Sequence, residues 1–171
     1  MRTAPPARFL LLLAASLATA ASAIDVRAQE RYAGKWTIAR GDPAPWVGAE
    51  GSVDPAEVKR LVGQHVAFEA KRIRGPDPLG CSGPQYVRKD VPAEGLFQGG
   101  LAEYGDPAIG ADALATRVGF AKRPIATLET GCEGAIDFHA TGDDELLFAL
   151  NNVIYRLHRD AARAPPPRKT P

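Results

Sequence analysis

The sequence predicts an all-β or β-rich domain, a small antiparallel up-and-down barrel carrying one or two short helices. Between residues 30 and 160 the apolar residues come mostly in short runs bounded by Gly, Pro, Asn and Asp, the punctuation of strands and turns. Helical signals are confined to two short stretches. The stretch DELLFALNNVIYRLHR folds back on itself about Asn151-Asn152, because Asn tolerates the positive φ of a two-residue hairpin turn. Leu150 then faces Val153, Phe148 faces Tyr155, Leu146 faces Leu157 and Asp144 faces Arg159, which leaves one wholly apolar face. A sheet with such a face must be covered or close on itself, and closure is the economical solution.

Taken in order, the first strand falls near residues 35–40. A helix follows in SVDPAEVKRLVG, with Asp54 as N-cap, Pro55 at the first helical position, Glu57 at the third and Gly63 closing it. QHVAFEAKRIR reads as one long strand over 64–74, with Val66, Phe68 and Ala70 on one side; its cluster Lys71, Arg72 and Arg74 reads as solvated surface. Further strands are expected near 84–89, 95–101, 117–121, 124–130, 133–139, 144–150 and 153–159. A helical turn is expected around residues 112–116. In GLFQGG, Leu96, Phe97 and Leu101 are read as core or rim and Gly99-Gly100 as a bend or bulge. Extending the C-terminal meander pairs Phe138 with Leu146 and Ile136 with Phe148.

The ends read differently from the body. Residues 1–23 combine Arg2 and Arg8, an apolar run from Phe9 to about Leu17, and the small residues Ala21 and Ala23. That is the pattern of a secretory signal peptide, too short to span a bilayer, with cleavage after Ala23 or after Ala28. No Cys follows the run, so no lipoprotein anchor is expected. Residues 24–160 form a single domain, and 161–171, rich in Pro and basic residues, read as a disordered tail. The chain has 21 Lys and Arg against 20 Asp and Glu, but Arg2, Arg8, Arg163, Arg168 and Lys169 lie in the ends. The body is mildly acidic, which speaks against nucleic-acid binding. The Cys count of two, Cys81 and Cys132, in an exported chain predicts a disulfide. Closing a loop of that length contributes ~4 kcal/mol in the chain-entropy model. With the Ala-, Gly-, Pro- and Arg-heavy usage, these features point to the bacterial periplasm.

GKWTIA, with Gly34 and Trp36 at the start of the domain, resembles the first-strand signature of lipocalins, eight-stranded barrels that hold small apolar ligands. In that family an Arg near the end of the last strand packs across the Trp; here the resemblance assigns that role to Arg159, which also suits a cation–π contact. The later lipocalin motif Thr-Asp-Tyr is absent. Gly34-x-Trp36, the GC at Gly80-Cys81 and TLETGC also resemble the META domain of bacterial envelope proteins. Small periplasmic protease inhibitors likewise use a Gly-x-Trp barrel with one disulfide.

Signals for catalysis are sparse. Beyond the leader, Ser52 and Ser82 are the serines, neither in Gly-x-Ser-x-Gly, and no zinc-protease, phosphate-loop or dinucleotide motif occurs. The expected register sets His139, Glu145 and His158 in a row on the outer face. Such a set suits Zn²⁺ or Cu²⁺, but the reading preferred is a solvated row with a Glu–His pair and no metal. We expect no catalytic residues, no cofactor and a monomer that works by binding. The ligand is a small apolar molecule inside the barrel or, alternatively, an envelope protein such as a hydrolase gripped by Pro-rich loops; an unrecognised enzyme is the third alternative. The loops are residues 40–48 and 74–86, and Trp46 in the first is either a lid over the barrel mouth or an exposed anchor.

Overall fold

The structure, a computed structural model, describes residues 31–48 and 51–161. The predicted leader, and the predicted tail beyond residue 161, lie outside these. The elements are β1 (Gly34–Pro43), α1 (Pro55–Leu61), β2 (His65–Glu69), β3 (Arg72–Arg74), β4 (Cys81–Ser82) and β5 (Val87–Val91). After a 3₁₀ turn (Ala93–Gly95) come α2 (Gly100–Glu103), α3 (Ala111–Val118), β6 (Ile125–Glu129), β7 (Phe138–Ala140), β8 (Glu145–Leu150) and β9 (Val153–Arg159). The fold is β-rich, as the sequence predicts.

All strands belong to one nine-stranded antiparallel sheet ordered β4-β3-β2-β1-β9-β8-β7-β6-β5. Chain neighbours are sheet neighbours at every step except β4 to β5, which stand at opposite edges although only residues 83–86 separate them. The sheet therefore curls until its two edges are spanned by one short stretch of chain. A disulfide between Cys81 and Cys132, the Gln85 N–H donating to the Thr130 carbonyl at 2.8 Å, and the Tyr86 hydroxyl donating to the Glu69 carbonyl at 2.9 Å tie that junction.

The concave side follows from strand alternation. Trp36, Ile38, Val66, Phe68, Leu128, Phe138, Leu146, Phe148, Tyr155 and Leu157 form one continuous core. Phe68 packs edge-on to Phe138 (4.8 Å), Phe138 tilts against Phe148 (5.5 Å), and Phe148 stacks on Tyr155 (5.0 Å). Helix α1 starts as its sequence requires: the Asp54 side chain accepts from the Ala56 N–H at 2.8 Å, and Pro55 opens the first turn. Its Leu61 is fully buried in the same core, with Gly63 just beyond at φ +86°.

The convex side carries a second core. Leu147, Ile154 and Ile125 point outward and are covered by Leu96, Phe97, Leu101, Leu114, Ala115 and Phe120 of the β5–β6 connection. This helical layer accounts for several departures from expectation. Residues 95–101 are not a strand: Phe97, Gln98 and Gly99 all have positive φ, which turns the chain into α2, although Leu96, Phe97 and Leu101 are buried. Residues 117–121 are not a strand either. Helix α3 runs through Val118, and Gly119 at φ +115° closes it, with the Phe120 N–H returning to the Ala115 carbonyl at 3.0 Å. Arg123 holds that end, bonding the Asp112 carboxylate and the Phe120 carbonyl.

Other boundaries moved for local reasons. The long strand over 64–74 is the hairpin β2–β3, with Phe68 opposite Ile73. The strand at 133–139 shrinks to Phe138–Ala140. The β8–β9 hairpin has the expected register, with Asn151 and Asn152 at φ +47° and +66°. The β7–β8 register is shifted by two residues: His139 lies opposite Leu147 and Ala140 opposite Leu146. An even shift keeps every side chain on its face, so the apolar side survives while the partners change.

Gly41 lies opposite Tyr155, and a Cβ there would come within 2.9 Å of the ring. Gly41→Ala should therefore destabilise the fold by ~1–3 kcal/mol through overpacking. An unchanged urea midpoint for that variant would show that the Tyr155 ring is not confined against β1.

Candidate functional site

Strand pairing places Trp36 directly across from Arg159. Trp36 is fully buried, its indole N–H donates to the Tyr32 carbonyl at 2.9 Å, and the Arg159 guanidinium carbon lies 4.2 Å from the ring centroid. The same guanidinium donates to the carbonyls of Ala33 (2.8 Å), Arg31 and Asp143 and pairs with the Asp144 carboxylate at 3.2 Å. Arg159 thus fastens residues 31–33 and the β7–β8 turn over the indole. Gly34, at φ +111°, has its Cα hydrogen toward this cation, where a Cβ would stand 3.5 Å from Nη1. The residues of the Gly-x-Trp pattern therefore close one end of the curled sheet.

The inside of that sheet is lined by the aromatic series Phe68, Phe138, Phe148 and Tyr155. The Tyr32 hydroxyl is buried with no hydrogen-bond partner among the described residues, and the Tyr155 hydroxyl, buried too, makes no hydrogen bond of good geometry although the Glu57 carboxylate is near it. Burial pushes the pKa of each up to about 12, so both stay neutral. Trp46 lies half-buried on the convex side, against Gly100 and Phe97, with its N–H 3.3 Å from the Asn152 side-chain oxygen.

His139, Glu145 and His158 do not converge. Glu145 and His158 are cross-strand neighbours, with a carboxylate oxygen 3.8 Å from Nδ1. The register shift carries His139 away from Glu145 and under the helical layer, where it is fully buried between Phe97 and Phe120. Its Nε2 accepts from the Phe97 N–H at 3.0 Å, so the proton resides on Nδ1, 2.8 Å from the Thr127 hydroxyl, which in turn donates to the Ile125 carbonyl. Glu145 is engaged by Arg156 and by the Thr141 hydroxyl at 2.6 Å, and Arg156 also caps α3 through the Val118 carbonyl at 3.0 Å. No group of three metal-ligating side chains occurs among the described residues.

On the surface, a depression of about 470 Å³ over Ala67 is rimmed by Lys35, His65, Glu69 and Arg74. Its charges are paired. Arg72 and Arg74 each contact Glu69 at 2.8 Å, and Arg72 in particular holds that carboxyl below its usual pKa. Beside it Thr37 donates to Asp160 at 2.5 Å, lowering that pKa too, while His65 Nδ1 lies 3.0 Å from the same hydroxyl. With its one proton directed to Asp160, the Thr37 oxygen can only accept from His65. A second cleft, about 290 Å³, lies between residues 120–126 and the β7–β8 turn, where Arg31 is already paired with Asp143 at 2.6 Å.

The loop between β3 and β4 differs in kind. Leu79 is buried, its N–H donates to the Pro76 carbonyl at 2.7 Å, and Arg60 of α1 donates to the Asp77 carbonyl at 2.8 Å. The disulfide fixes the C-terminal end at Cys81. Asp77, Pro78 and Gly80 are nevertheless exposed. Sequence reasoning singled out this stretch for its prolines; the anchors at Leu79 and Arg60 carried no separate signal. No known family, curated protein or solved structure matches the chain.

Two predictions follow from the half-buried cation and the buried imidazole. Arg159→Ala should red-shift the indole emission and lower stability by ~1–3 kcal/mol, since three carbonyls lose their donor; identical spectra and melting would contradict the closure. Burial pushes the His139 pKa down from 6.5 to about 3, so the unfolded chain takes up a proton that the folded one refuses. Stability is then complete above pH 6.5 and falls toward pH 3 by up to ~1.4 kcal/mol per unit. His139→Gln should remove that slope between pH 6.5 and 5, where most carboxylates remain ionised; equal slopes would refute it.

Proposed function

We propose that this chain is a non-catalytic binding protein of the periplasm that grips an envelope protein, such as a hydrolase, through the loop joining β3 to β4. The observation that carries this reading is the loop's combination of exposure and rigidity. Asp77 and Pro78 face solvent while Leu79, Arg60 and the Cys81–Cys132 bond hold the backbone. A preordered segment loses little entropy on docking, which is what an inhibitor needs. The close aromatic packing inside the sheet favours the same choice, because a carrier of small apolar molecules needs unoccupied apolar volume. Export is supported by the charged and apolar leader and by the disulfide.

The reading is tested by assaying envelope peptidases and glycan hydrolases for inhibition by the wild type and by an Asp77→Ala, Pro78→Ala double variant. Inhibition should fall at least about tenfold in the variant, with an unchanged circular dichroism spectrum. Saturable one-to-one binding of an apolar fluorescent probe, coupled with equal inhibition or none by both proteins, would overturn it in favour of a ligand carrier.

A further inference from the structure

Strand β5 ends the sheet and pairs with β6 alone. Residues 87–90 are exposed, and Val87 leaves 46% of its surface in water. Beyond the β6 ladder, the backbone of residues 87–91 makes no hydrogen bond among the described residues. Edge strands of this kind are templates for another strand unless something defends them.

The five residues read Val-Arg-Lys-Asp-Val, which is complementary to its own reverse. Laid antiparallel on a second copy about Lys89, each Val87 meets a Val91 and each Arg88 meets an Asp90. We propose that β5 is a dimerisation edge, through which two copies pair residues 87–91 about a two-fold axis at Lys89 and join their sheets. An interface of this type is isologous and closes on itself. The proposal is independent of the loop reading, and it replaces the expectation of a monomer.

Three features select this arrangement. Within one chain Arg88 and Asp90 share the face of Leu128 and approach only to 4.0 Å, so both are free to take a better partner. In the dimer each gains an opposite charge directly across the ladder, the spacing at which cross-strand pairs interact. Lys89, the residue that would defend the edge, is turned to the other face and held by Glu129 at 2.7 Å. Register is specified as well. Residues 87, 89 and 91 share one hydrogen-bonding side and 88 and 90 the other, so pairing about Lys89 matches the ladder whichever set points outward. Pairing about Lys89 does set the two Lys89 side chains opposite each other, each already neutralised by its own Glu129 at 2.7 Å, whereas registers centred on Arg88 or Asp90 would oppose Arg88 to Arg88 or Asp90 to Asp90 and forgo the Arg88–Asp90 pairs. The other sheet edge, β4, has two residues and is bound into the disulfide.

Analytical ultracentrifugation of the exported, disulfide-bonded protein over rising concentration tests this. The wild type should shift from monomer to dimer. Arg88→Asp and Asp90→Arg should each weaken association about tenfold or more while melting as the wild type does, and the double variant should recover it. In the unsubstituted protein, amide exchange in residues 87–91 should slow as concentration rises. A wild type that stays monomeric to its solubility limit, singles that associate normally, a folded double variant that does not recover, or concentration-independent exchange in residues 87–91 would each overturn the proposal.

Discussion

Strands β8 and β9 carry large apolar side chains on both faces, and the rest of the structure is arranged to keep these out of water. Leu146, Phe148, Tyr155 and Leu157 point to one side, Leu147 and Ile154 to the other, and all are buried. Full burial of each such side chain is worth about 1.5–3 kcal/mol, so leaving either face exposed would cost a large share of a small domain's stability. The inner face is satisfied by curling the sheet. The outer face is satisfied by routing residues 92–124 across it as a 3₁₀ turn and two short helices.

That outer layer could not rest on apolar contact alone, because its turn at residues 97–99 holds non-glycine residues at positive φ. His139 supplies the directional bond. As a neutral imidazole it accepts from the Phe97 N–H on one side and contacts the Thr127 hydroxyl on the other, so neither ring nitrogen is buried without a partner. The Glu145–Arg156 pair does the same at the end of α3, through the Val118 carbonyl. Two of the three residues that suggested a metal site are thus anchors of the helical layer. Chemistry-bearing residue types were read correctly as a group on one face, but that face turned out to be dry where His139 lies.

Much of the sheet was legible because its signals are local. Asn151-Asn152 set the β8–β9 register, and Asp54-Pro55 set the start of α1. Alternation along β9 put Arg159 on the inner face, and its packing over Trp36 is what the lipocalin resemblance implied. What stayed hidden depends on contacts between distant segments. Leu96, Phe97 and Leu101 have the same composition in a strand as in a turn-and-helix, and only the surface they cover distinguishes the two. The sequence does carry one signal of that cover: Leu146-Leu147-Phe148 and Val153-Ile154-Tyr155 are unbroken apolar runs, which mark strands buried on both faces. The loop at residues 74–86 was legible as rigid from its prolines and Cys81, whereas the hold exerted by Arg60 comes from a helix on the other side of the β2–β3 hairpin.

The central claim is that the helical layer belongs to the cooperative fold and is fastened through His139. Native-state hydrogen exchange at the Phe97 amide tests it most directly, since that N–H lies outside the sheet and its acceptor is the imidazole. The account predicts protection comparable to that of the amides of β8 and β9. A Phe97 amide that exchanges as fast as those of exposed turns, while the sheet stays protected, would contradict it.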